Sequence, residues 1–187
     1  MELRNSLANS LNIAAVKVLK VNGLETFVAS ASAMGLSTFK NASDYGLSLT
    51  LGGGEVTMAD MTVAYGVLAN MGIRQDLHPI LKVVDKDKKV LEEYKYESGQ
   101  RVLSRETGFI IQQILSDDGA RSMVFGAGSM LNIKGHKEVA VKTGTTNDKR
   151  DNWAIGWTPN LLVSTWVGNN DNSKMGKVAS GVSGATP

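Results

Sequence analysis

The sequence predicts an α+β domain, with helices in the first two thirds and an antiparallel sheet at the end. Three observations carry this. Apolar residues recur at three- and four-residue steps in four separate stretches up to Leu115, and the pattern then changes to two-residue alternation after Glu138. A turn, Thr158-Pro159-Asn160, separates two apolar strands of similar length, the arrangement of a hairpin rather than a crossover.

Leu7, Leu11, Ala14, Ala15, Val18 and Leu19 fall on one helical face, which predicts a single helix from Leu7 to Val21 ending at Gly23. An Ala-rich helix over Glu25 to Met34 stops at Gly35, a residue suited to a left-handed exit. Four glycines between Tyr45 and Glu55 predict an irregular, tightly packed loop, and Gly52-Gly53-Gly54 lacks the lysine of a phosphate-binding loop. Thr57 followed by Asp60 marks the start of a third helix, closed by Asn70 to Gly72. Ile80 to Tyr96, β-branched around the charged run Asp85-Lys86-Asp87-Lys88, predicts an exposed hairpin. Ser104 caps a further helix to about Leu115. Strands follow at Glu138 to Lys142, Trp153 to Trp157 and Leu161 to Val167, with Trp153 and Trp157 pointing to one face, where core packing is favoured over ligand stacking. No repeat or linker divides the chain.

Composition excludes several classes of function. A net charge of +2 is too near balance for a nucleic-acid partner or a polybasic membrane contact. The absence of cysteine removes disulfides and thiolate chemistry, and His78 and His136 lie too far apart, without neighbouring ligands, to suggest a metal site. No cofactor is called for. No signal segment is visible near Met1 and no apolar run reaches the ~20 residues that span a bilayer.

The string Lys142-Thr143-Gly144-Thr145, at the end of a predicted strand, is the sharpest chemical signal. A chance Lys-Thr-Gly is expected on the order of 0.1 times in a chain of this composition. A lysine beside two hydroxyls offers a cationic, donor-rich edge for a carboxylate, and the glycine lets a ligand backbone approach the strand. Ser10-Leu11-Asn12 matches the Ser-x-Asn element that accompanies Lys-Thr-Gly in serine acyl-transfer enzymes, although on its own about one such match is expected by chance.

Longer strings make the resemblance specific. SLNIAAVKVL, SLTLGGGEVTMADMTVAYGVLANMG and KTGTTNDKRDNWAIGWTPNLLVSTWVG resemble, in order, blocks of the transpeptidase domain of class A, bifunctional penicillin-binding proteins, and the resemblance runs from about Ser6 to Pro187. It implies the penicillin-binding, serine β-lactamase-like fold, an antiparallel sheet flanked by helices. It also implies a D,D-transpeptidase activity, in which a serine attacks the D-Ala-D-Ala end of a peptidoglycan stem peptide and β-lactams acylate the same serine. Carried over, Ser10 resembles the hydroxyl that relays a proton to the leaving group, and Asn12 the amide that holds substrate and catalytic lysine. Lys142 resembles the cation that shapes the site, Thr143 and Thr145 the carboxylate-binding hydroxyls, the Thr145 N–H an oxyanion donor, and Gly144 the residue that keeps the strand open.

One element departs from the family. The Ser-x-x-Lys motif that supplies nucleophile and base belongs well before Ser-x-Asn, where this chain has only nine residues. Ser37-Thr38-Phe39-Lys40 spells it in the wrong place, and a surface turn is the favoured reading there. The expectation is therefore a partial transpeptidase domain over 1–187, truncated at both ends, with its N-terminal part missing and no activity alone. Its partners would be stem peptides, β-lactams and the missing N-terminal half, with self-association through uncovered apolar surface. The family implies an extracytoplasmic site at the bacterial membrane through an anchor outside this chain. The alternative is a non-catalytic binding or interaction module that keeps part of the fold; a β-lactamase or D,D-carboxypeptidase is less favoured by the long blocks.

Overall fold

The computed structural model describes residues 2–176 and Ala185. The two-residue alternation of the last third produces three antiparallel strands, β5 (Ala140–Thr145), β6 (Asp151–Trp157) and β7 (Leu162–Gly168), in the order β5-β6-β7. Register sets Lys142 opposite Ile155 and Gly144 opposite Trp153, then Trp153 opposite Trp166. Because side chains alternate across a strand, Ala140, Ile155 and Trp157 share one face, and that face is buried. Lys142 and Gly144 lie along the same row.

Among the described residues six helices precede or cover this sheet: α1 (Leu3–Ala8), α2 (Asn12–Asn22), α3 (Leu24–Ala33), α4 (Met58–Ala69), α5 (Arg105–Leu115) and α6 (Asp118–Phe125). The expected caps form: Thr57 accepts a hydrogen bond from the Asp60 N–H and Ser104 one from the Thr107 N–H. Helix α4 is apolar nearly all round because it lies between two cores. Its Ala69 packs with Leu115, Ala140, Ile155 and Trp157 beneath the sheet, and its Ala64 packs with Val28, Ala31, Leu36, Phe39 and Leu49. Trp157 is 1% exposed and meets Tyr65 edge-on, with ring centroids 5.5 Å apart. Burial there pushes the Tyr65 phenol up to about 12. Trp153 leans on the same cluster, so the core reading of both tryptophans holds.

The glycine-rich loop follows a short 3-10 turn, Ala42–Asp44, and contains another, Leu47–Leu51; its Gly53 and Gly54 serve packing. A Cβ at Gly54 would stand 2.7 Å from Phe39 and 2.8 Å from Leu49, closer than any side chain tolerates. The exposed hairpin is β2 (Lys82–Val84) with β3 (Val90–Glu93), its turn held by Asp85 Oδ1 accepting from the Asp87 and Lys89 N–H groups.

Three features differ from the sequence pattern. The single helix expected over Leu7 to Val21 is two helices, broken at Ser10, whose φ of 58° is left-handed. The apolar period ran through the break because Leu7 and Leu19 are both buried or packed, while Val18 and Val21 on the same nominal face are 51% and 90% exposed. A short ribbon, β1 (Ile73–Arg74) with β4 (Gln100–Arg101), and helix α6 carried too few residues to show a period. The motif Lys142 to Thr145 lies within β5 rather than at the end of a strand closing at Lys142. Among the described residues no helix is long and apolar enough to cross a membrane.

Candidate active site

Among the described residues β5 is an edge of its sheet, and the ladder decides which of its backbone groups face outward. The Thr146 N–H bonds the Asp151 carbonyl at 3.0 Å, continuing the register in which Thr145 lies opposite Asn152. Hydrogen-bonded and non-bonded pairs alternate in an antiparallel ladder, so the N–H groups of Thr143 and Thr145 point away from β6 toward the open edge. The strand therefore presents two donors in the direction from which an extended ligand could add alongside it. Gly144 sits between them. A Cβ at Gly144 would meet only the Trp153 Cβ at 3.6 Å, an ordinary contact, so the chain's own packing does not require glycine there.

Lys142 leaves the sheet row and turns its ammonium to that edge. It donates to Ser10 Oγ, 132 residues away in sequence, and to its neighbour's carbonyl, Thr143 O, at 2.6 Å. Burial pulls its pKa down to about 8, because a desolvated ammonium is disfavoured relative to the amine. A lysine so placed can gain or lose a proton near neutral pH, which suits proton transfer through the Ser10 hydroxyl.

Ser10 stands in the turn between α1 and α2, closed by the Ser10 N–H on Leu7 O at 3.1 Å and the Leu11 N–H on Ser6 O at 3.0 Å. Asn12 is the first residue of α2 and is exposed; among the described residues no hydrogen bond joins it to Lys142. The structure thus brings Ser10, Lys142 and Thr143 together, aligns Gly144 and Thr145 along the same edge, and leaves Asn12 at the rim.

Residues not singled out in the sequence brace this arrangement. Asn152, 0% exposed, donates from Nδ2 to Thr145 Oγ1 at 3.1 Å and accepts from the Ala185 N–H at 2.9 Å. A backbone N–H can only donate, so the orientation of the Asn152 amide is settled, and Thr145 Oγ1 must accept on that side. Asp151 accepts from Trp166 Nε1 at 3.0 Å and from the Thr146 hydroxyl at 3.1 Å, locking the end of the strand. Arg121, 2% exposed, lies with Phe125 and Leu131 against Val141 to Thr143, and donates to Leu115 O at 2.7 Å. Nothing in local sequence distinguishes these from ordinary surface Asn, Asp and Arg.

Ser37 has a different environment. Its hydroxyl donates to Asp60 Oδ2 at 2.6 Å and its N–H to the same oxygen at 3.0 Å, while Lys40 is exposed. The Ser37 hydroxyl is the main cause of an Asp60 carboxyl held below its ordinary range. Ser37 therefore anchors a turn to the start of α4.

Comparison with known proteins agrees with this geometry. Residues 1–185 match the family described as the penicillin binding protein transpeptidase domain. Penicillin-binding protein 1A of Aquifex aeolicus is 34% identical over 185 residues, 99% of this chain and 24% of the relative. Penicillin-binding protein 1A of Clostridium acetobutylicum is 34% identical over 178 residues, 94% of this chain and 21% of the relative. The chain thus spans about a quarter of the length of these relatives. Among solved structures, penicillin-binding protein 1A of Haemophilus influenzae superposes with a TM-score of 0.81 at 23% identity, over 98% of this chain and 32% of that one. PonA1 of Mycobacterium tuberculosis, solved in complex with penicillin V, superposes with a TM-score of 0.74 at 20% identity, over 98% of this chain and 51% of that one. With the β5 edge, the Ser10 turn and the sheet order all in place, the chain belongs to the penicillin-binding protein transpeptidase family.

Proposed function

We propose that this chain forms one wall of a peptidoglycan D,D-transpeptidase site, and that the serine nucleophile and its lysine come from polypeptide outside it. The contact that supports this best is the hydrogen bond from Lys142 to Ser10 Oγ, which joins the two family motifs across the fold. In this reading Thr143 and Thr145 take the carboxylate of the stem peptide or of a β-lactam, with the Lys142 charge drawing it in. The Thr145 N–H, directed to the open edge, helps hold the oxyanion as the acyl-enzyme forms. Ser10 then passes a proton to the departing D-Ala amine, Lys142 tuning its donor strength. Asn12 contacts the substrate amide and the incoming catalytic lysine. The complex of PonA1 with penicillin V supports extending β-lactam recognition to this chain, and the family supports an extracytoplasmic site of action.

The test has two steps. First, titration of the chain with a penicillin, followed by amide NMR, should move the resonances of Thr143 to Thr145, and the Lys142→Met and Thr145→Val variants should abolish the shifts. Second, intact mass after incubation with a reactive penicillin should show no adduct on the chain alone, and acylation on the added polypeptide when a segment carrying Ser-x-x-Lys is supplied. An adduct on Ser37 would sink the proposal. Shifts without acylation in the reconstituted mixture would favour a non-catalytic binding module.

A further inference from the structure

Ser10 occupies a left-handed conformation, φ 58°, that a non-glycine residue adopts only against a steric penalty, so something in the tertiary structure must hold it. The residue before it supplies the hold. Asn9 is 2% exposed, and its carboxamide makes three hydrogen bonds to backbone. Nδ2 donates to Asn5 O at 2.8 Å and to Ala120 O at 2.6 Å, and Oδ1 accepts from the Val124 N–H at 2.9 Å. Since carbonyls only accept and an N–H only donates, this orientation of the amide is the one that satisfies all three.

The pair on α6 is informative. Ala120 and Val124 are four residues apart, the carbonyl and amide that one α-helical step would link. The Asn9 carboxamide reaches both ends of that step, as a peptide group would. A side chain of this length and chemistry docks the turn at one register of α6 only, and α6 in turn places Arg121 and Phe125 against Val141 to Thr143 on β5. Ala8 of α1, Arg121 and Phe125 of α6, and Val141 to Thr143 of β5 line one small gap, so the side chains of α6 stand between the turn and the strand that carries the lysine.

We propose that Asn9 is a positioning residue for the site, fixing the Ser10 hydroxyl in reach of the Lys142 ammonium by pinning the turn to the Ala120–Val124 step of α6. The catalytic meaning of this rests on the function proposed above, but the geometric claim does not. Serine would be too short to span both partners, glutamine would push the turn outward by one methylene, and aspartate would set an anion against two carbonyl oxygens. The requirement is for asparagine itself.

The experiment reads Lys142 directly in the full chain. The 13Cε resonances of labelled lysine are followed against pH in wild type, Asn9→Ala and Asn9→Gln, with Val28→Ala as a control that weakens the fold through the other core. If Asn9 positions the turn over Lys142, Asn9→Ala and Asn9→Gln let water reach the ammonium and raise its midpoint by about one unit or more from its depressed value, while Val28→Ala leaves it in place. Folded Asn9 variants with an unmoved Lys142 midpoint would overturn the proposal. Should neither variant fold, wild type decides: the Asn9 side-chain NH2 and the Val124 amide are expected to exchange slowly with solvent, and fast exchange of the Asn9 carboxamide protons overturns it. None of these readouts needs β-lactam binding or acyl transfer, so a failure of the transpeptidase reading would leave them unchanged.

Discussion

The site is assembled from two regions that are built differently. The β5 edge from Lys142 to Thr145 is part of a regular ladder, and each of its properties follows from strand alternation and register with β6. The turn at Asn9 to Leu11 belongs to no regular element; its shape depends on a left-handed serine and on hydrogen bonds to a helix more than 100 residues away. One wall is secured by repetition and the other by a few specific contacts. Sheet neighbours share the load of a strand, so a single exposed change there has small structural effect, whereas the turn concentrates its support in one amide.

The largest test of the strand wall is removal of what lies beneath it. Trp157→Ala should destabilise the chain by about 3–5 kcal/mol, since a fully buried indole leaves a cavity beside Tyr65, Ala69 and Leu115. Urea unfolding followed by far-UV circular dichroism measures this. A loss below ~1 kcal/mol would mean that the sheet does not depend on that core.

Lys142 links the two regions and gives a pH signature. Its folded pKa of about 8 lies below the ordinary 10.5, so between these values the unfolded chain binds the additional proton. Stability should then rise as pH increases through this window, by up to about 3 kcal/mol, the burden of the buried ammonium being fully present below pH ~8. Above pH ~10 Tyr65 opposes the trend, because its phenol ionises in the unfolded chain first. Lys142→Met should flatten the profile between pH 8 and 10, measured as denaturation midpoints across that range. A slope that persists in the variant assigns the effect to another group.

The turn is sharpened by a pair of variants. Ser10→Ala and Ser10→Gly both remove the hydroxyl that Lys142 contacts, but only alanine retains the left-handed penalty, so the glycine variant should be more stable by about 1 kcal/mol. Equal midpoints would show that the turn relaxes when the hydroxyl is lost. Smallest, Ser37→Ala should cost roughly 0.5–1 kcal/mol through its bonds to Asp60, and leave penicillin-induced shifts at Thr143 to Thr145 unchanged. Asp60, no longer held low, should then titrate closer to its ordinary value.

The difference between the regions also explains what could be read in advance. Thr57 and Ser104 act through groups three residues on, and the caps they were expected to form are present. The three final strands and the core role of Trp153 and Trp157 follow from a period of two, which any half-buried sheet must display. The motif residues Ser10, Lys142, Thr143, Gly144 and Thr145 were visible as residue types, although their roles remain proposals. The break at Ser10 within Leu7 to Val21 has a physical reason: periodicity counts apolar residues, and the break is held by Asn9, two of whose three partners lie on α6.

By itself the sequence determined the α+β layout, the caps at Thr57 and Ser104, the exposed hairpin and the strand that carries Lys142, because these depend on interactions within a few residues or on a repeating pattern. Only the tertiary structure decided that Ser10 meets Lys142, that Asn9 and Asn152 are buried beneath the two walls, and that Ser37 belongs to Asp60. Each of these is a polar contact between distant segments, and a buried asparagine looks the same in sequence as an exposed one. The partners of Asn9 are backbone groups, which every residue carries, and Asn152 joins one more backbone N–H and a threonine hydroxyl, so no local pattern could announce them.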